Sequence, residues 1–127
     1  MSTPIEITAG HVTLKGELFD TETAKAIIKA LPFNVPFNTW GDEFYFEIPI
    51  EKTYLDDTAT SGLKVGDIGY WPTGNAMCLF FGRTPMSTND EPVPASDVNI
   101  IGRITGNPYI LKEVMSAKDI SIKRDGG

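Results

Sequence analysis

The chain has one cysteine, one histidine and fewer basic than acidic residues, and each shortage removes a class of function. Cys78 alone cannot close an intramolecular disulfide, which favours a reducing compartment. With His11 as the sole histidine, neither a His-rich zinc site nor a C-x-x-C site can be built, so no metal and no cofactor is expected. The 11 Lys and Arg against 17 Asp and Glu leave a net charge of −6, and the basic residues are scattered. Nucleic acid demands a Lys/Arg footprint on its phosphates, and an anionic membrane surface makes a similar demand, so neither is an expected partner. No apolar run approaches the ~20 residues of a membrane span. Residues 1–10 show neither the basic nor the apolar region of a signal peptide. A cytoplasmic location is expected.

What is present reads as one domain over residues 1–127, with an apolar fraction of 41%. Pro and Gly are spread as turn punctuation, with no repeat and no linker. Residues 5–8 and 11–19 read as a strand pair around Ala9-Gly10. Asp20-Thr21 opens a helix whose Ala24, Ile27, Ile28 and Leu31 fall on one stripe, and Pro32 stops it. Residues 33–39 read as irregular. In residues 43–50, Phe44, Phe46, Ile48 and Ile50 alternate with Glu43, Tyr45 and Glu47, the clearest period-two signal in the chain. Residues 51–61 read as a polar loop, 62–71 as strand, turn and strand, and 76–81 as a buried strand. A long loop over 82–97, with Pro85, Pro92 and Pro94, precedes a strand at 98–105. Asn107-Pro108 starts a short second helix with Ile110, Leu111, Val114 and Met115 inside. Residues 118–124 close the chain as a strand.

This inventory, about eight strands with two separated helices, predicts a mostly β fold: a closed antiparallel barrel capped by two helices. Three segments resemble cyclophilins: residues 10–31 with Glu17-Leu18-Phe19-Asp20, the Phe80-Phe81 pair, and Ile100-Ile101-Gly102-Arg103-Ile104 followed by a helix and a last strand. Trp40-Gly41-Asp42-Glu43-Phe44-Tyr45-Phe46 and Gly66-Asp67-Ile68-Gly69-Tyr70-Trp71-Pro72 resemble, more specifically, a small prokaryotic cyclophilin-like family of unassigned function. The resemblance implies a cyclophilin-like barrel and a groove for a peptide or small molecule. Cyclophilin isomerases carry an Arg on the strand after the first helix, and residues 32–49 contain no Arg or Lys. Counting from Phe81 and Gly102, the groove positions usually held by Gln, Trp and His fall at or near Leu79, Val93 and Val98. Only Phe81 matches, as a pocket wall.

The expected groove therefore comprises Glu43, Tyr45, Trp71, Phe81 and Arg83, with Trp40 and Tyr70 near its rim. Glu43 and Glu47 lie roughly 13 Å apart on a strand, too far for a glycosidase pair, so a solvated strand face is the preferred reading of both. Arg83 stands ready either as a replacement guanidinium or as a surface ion-pair partner. Cys78 reads as a small buried hydrophobe. Asp67 reads as a turn-former, and Asp56-Asp57 and Asp90-Glu91 are too sparse for a calcium loop. The expected function is a peptide- or small-molecule-binding module. The alternatives are an atypical peptidyl-prolyl isomerase and a small enzyme using Glu43 as acid or base.

Overall fold

A computed structural model describes residues 2–126. Nine strands form one antiparallel sheet: β1 (Thr3–Ala9), β2 (Val12–Leu18), β3 (Phe33–Pro36), β4 (Asn38–Thr39), β5 (Glu43–Glu47), β6 (Asp67–Trp71), β7 (Ala76–Phe80), β8 (Asn99–Ile104) and β9 (Asp119–Arg124). Their lateral order is β3-β9-β1-β2-β8-β6-β7-β5-β4. The two edges of that list, β3 and β4, are consecutive in the chain. Residues 33–36 pair with β9, residues 38–39 pair with β5, and Phe37 joins them, its N–H donating to Lys118 O at 3.4 Å. One extended segment thus closes the sheet into a nearly complete barrel, where an irregular stretch was expected. Phe33, Val35 and Phe37 face the core from it, while Asn34, Pro36 and Asn38 are exposed. Pro36 is tolerated because β3 is an edge strand, paired with β9.

The interior follows the alternation of the strands. Ile5 and Ile7, Leu14 and Leu18, Phe44 and Phe46, Ile68 and Tyr70, Met77 and Leu79, Ile120 and Ile122 all point inward. The helix α1 (Glu22–Ala30) begins at Thr21, whose hydroxyl accepts from Ala24 N–H at 3.2 Å. Its Ala24 and Ile27 join the interior, with Ile28 and Leu31 packed against it. A 3-10 helix, Pro108–Val114, is capped by the Asn107 side chain. Its Val114 packs over Gly10 in the β1–β2 turn, where φ is +55° and an added Cβ would lie 3.0 Å from the valine.

The outer faces of the two halves differ. On β1, β2 and β9 the outer face is wet: Lys15 bridges Glu6 (2.7 Å) and Asp125 (2.9 Å), and Lys123 pairs with Glu6 at 3.4 Å. On the half built from β5, β6, β7 and β8 the outer face is largely covered, with Glu47 and Arg103 left exposed. β7 is buried at every position, and Leu63, Cys78, Phe80 and Val98 form a second apolar cluster there, with Tyr45, Trp71 and Ile100 at its margin. Residues 62–64, expected as strand, instead run as a covering segment, while the turn expected at Val65-Gly66 is present. The partner that strand needed is absent because β6 already has β7 and β8 on its two sides.

Two asparagines, Asn99 buried and Asn75 half-buried, hold the covering chain. Asn99 accepts from Asp56 N–H (2.8 Å) and donates to Tyr54 O (2.9 Å). Asn75, in left-handed backbone at φ 47°, donates to Ile48 O and Ile50 O and accepts the buried Tyr70 hydroxyl at 2.5 Å. Thr53 N–H donates to that same hydroxyl oxygen at 3.1 Å.

A candidate ligand cavity on the outer face

The register of three strands builds the floor. Tyr45 lies opposite Cys78, Cys78 lies opposite Gly69, and Glu43 and Trp71 flank that row. Gly69 has no side chain because Val98 occupies the space: a Cβ there would sit 2.8 Å from Val98 Cγ2. Trp40 arrives from a tight turn in which its N–H donates to Glu43 O at 3.0 Å. Gly41 makes that turn with φ +60°, so close to the neighbouring chain that a Cβ would lie 2.8 Å from Arg83 O. Pro94, Ala95 and Val98 supply the roof. The roof is fastened by Trp71 Nε1, which donates to Ser96 Oγ at 2.7 Å. Further back, the Thr84 hydroxyl donates to Val93 O, and Ser87 Oγ accepts from Thr84 N–H and donates to Glu91 O. The loop at 82–97 is thus internally bonded and lies on the sheet.

Between floor and roof is a cavity of about 110 Å³, walled by Trp40, Tyr45 and Trp71. Tyr45 and Trp71 meet edge to face, with ring centroids 6.2 Å apart and an angle of 82°, forming an aromatic corner. Glu43 and Cys78 contribute the ionisable groups of the wall beside Tyr45. Glu43 is only 5% exposed, and its Oε1 has no hydrogen-bond partner. Burial pushes its carboxyl up to about 7, with a bond from the Cys78 thiol pulling slightly the other way. The thiol itself is pushed well up by burial and by the negative charge of Glu43, so at neutral pH it is a donor and not a nucleophilic thiolate.

Of the five residues expected in the groove, Glu43, Tyr45 and Trp71 line this cavity. Phe81 does not. It is fully buried in the barrel interior, edge-on to Phe44 at 4.9 Å. Arg83 does not either: it is exposed and lies 3.7 Å from Asp90. Trp40 belongs to the wall, whereas Tyr70 is buried inside the barrel. The outward residues of β7 are Cys78 and Phe80, so counting to Leu79 and Phe81 lands on the wrong face, as a one-residue slip on a strand must. The solvated face expected for β5 holds at Glu47 and fails at Glu43, which the chain at 94–98 helps to cover. Val98, the position counted from Gly102, does line the cavity, whereas Pro94 and Ala95 were not singled out as wall residues, because no local pattern marks a loop that folds back on a sheet.

Among the described residues no cluster of His, Cys, Asp and Glu is arranged to hold a metal ion. No helix among them is long and apolar enough to cross a membrane.

A comparison with curated proteins finds no match. Among solved structures, the chain is similar to the solution structure of the hypothetical protein AF2241 from Archaeoglobus fulgidus. The TM-score is 0.80 and the identity 34%, over 97% of this chain and 95% of that one. The family model described as cyclophilin-like matches residues 3–123. With the barrel and these matches in hand, the chain belongs to the cyclophilin-like family.

Proposed function

We propose that this protein is a binding module that takes a small ligand, or one side chain of a peptide, in the outer-face cavity at Trp40, Glu43, Tyr45 and Trp71. The observation that carries this reading is the unpartnered oxygen of a carboxyl 5% exposed inside an aromatic-walled cavity. Buried polar atoms are nearly always bonded, and an orphan costs about 1–3 kcal/mol. A ligand bearing a donor would satisfy it. Apolar walls with few polar groups are also the usual make-up of a ligand site.

The test is an amide NMR titration with small-molecule fragments and short peptides. Shifts gathered on the indole N–H groups of Trp40 and Trp71 and the amides of β5 support the reading. A protein on which no compound moves those signals is not such a module.

A second reading, Glu43 as an acid or base, draws on its carboxyl lying near 7, in the range suited to proton transfer at neutral pH. Titrating that carboxyl by NMR decides it, since a value near 4.5 would sink the idea. The isomerase reading draws nothing from the cavity, whose wall holds no guanidinium. Exchange NMR on an X-Pro peptide should show the uncatalysed rate, on the scale of tens to hundreds of seconds.

A further inference from the structure

The ligand class follows from what the cavity wall offers and what it withholds. It offers one carboxyl with an orphan oxygen, and an ionised carboxylate can only accept hydrogen bonds. It withholds a cation: no Lys or Arg lines the cavity, and among the described residues none lies within ion-pair distance of Glu43. The remaining walls are the rings of Trp40, Tyr45 and Trp71, two of them at right angles. Ring faces attract a desolvated cation, Trp most strongly. The net charge of −6 draws cations toward the molecule and repels anions. The space, about 110 Å³, suits a compact head group.

We propose that the cavity receives an alkylammonium group, with the Glu43 carboxylate as its counter-ion and the rings of Trp40, Tyr45 and Trp71 as its walls. This rests on the ligand-cavity reading above and narrows it. The group that faces Glu43 from β7 is the Cys78 thiol, and Tyr45 is its titratable neighbour on β5. The thiol remains protonated at neutral pH, so Glu43 carries the pH dependence. An ammonium ligand binds the ionised carboxylate, so its affinity should rise with pH. With the carboxyl at about 7, the ionised fraction grows about tenfold between pH 6 and pH 8, while an alkylamine stays protonated. A neutral acceptor ligand, which needs the protonated carboxyl, would show the opposite slope.

The experiment compares n-butylamine with n-butanol by amide NMR titration of the intact protein at pH 8. The expected result is saturating shifts at the Trp40 and Trp71 indoles, with the amine bound at least about tenfold more tightly than the alcohol. The amine should weaken about tenfold at pH 6, and Glu43→Gln should erase its advantage over the alcohol. Trp40→Leu, which leaves the carboxyl in place, should also weaken the amine. Equal affinity for amine and alcohol would overturn the ammonium assignment while leaving a ligand cavity standing. Absence of amine binding overturns it too, and the fragment titration then judges the cavity by itself. Nα-acetyl-lysine N-methylamide is the second arm. Binding tighter than n-butylamine assigns the ammonium to a peptide lysine, and equal binding assigns it to a free amine.

Discussion

Glu43 and Phe44 are neighbours on β5 and meet opposite environments, one under the roof of the outer face and one in the barrel interior. The carboxyl has no compensating cation, so the folded protein holds its proton more tightly than the unfolded chain does. The folded value is about 7 against 4.5. Stability is therefore full below pH 4.5 and is lost as pH rises toward 7, by roughly 3 kcal/mol in all. Glu43→Gln should remove that loss: in urea unfolding it should gain roughly 2–3 kcal/mol over the parent at pH 8 and little at pH 4. A parent whose stability is the same at both pH values would mean the carboxyl is not held as described. Gly69→Ala should cost about 1–3 kcal/mol, because its Cβ would press on Val98, and it should also move the cavity wall. At this scale the alternation at 43–47 was legible in the sequence, including which residues share a face. The burial of Glu43 was not written there, although β7 carried the clue. A strand apolar at every position from 76 to 81 has two covered faces, so the outer face of its neighbour β5 had to lie at the edge of a cover.

At the scale of elements, the covering chain depends on a few side-chain bonds and little secondary structure. Asn99 holds Tyr54 and Asp56, and Ile100 N–H donates to the Thr58 hydroxyl at 3.0 Å. Asn99→Ala should leave a backbone donor and acceptor unpaired and cost about 2–4 kcal/mol. Hydrogen exchange at the Asp56 amide should accelerate in that variant more than exchange in β1. A uniform acceleration would show that the segment and the barrel open together. Strands β1, β2, β5, β7 and β9 and the start of α1 were readable because periodicity and capping are local. The segment 33–39 was not, since Pro32 and Pro36 masked a true alternation of Phe33, Val35 and Phe37. The reverse error at 62–64 arose because a strand needs a partner edge, which the local sequence does not display.

For the whole molecule, the barrel joins elements distant in sequence: β1 pairs with β9, β2 with β8, and closure awaits residues 33–39 on both sides. Such non-local pairing predicts folding in milliseconds to seconds, not microseconds. Stopped-flow fluorescence of Trp40 and Trp71 measures it, and a faster phase carrying the full amplitude would contradict it. The fold class was legible because strand count, spacing and two separated helices leave few arrangements, and the family motifs pointed to one of them. The cavity depends on which loop lies on which face, a property of the closed barrel alone. On β5 and β7, residues that hold the barrel together alternate with residues that line the cavity or its cluster: Phe44 with Tyr45, and Met77 and Leu79 with Cys78. Inheritance can therefore treat the two sets separately. A lineage is free to rewrite the outward set and acquire a new ligand while the inward set stays fixed, so one barrel can be handed down through descendants that recognise different molecules.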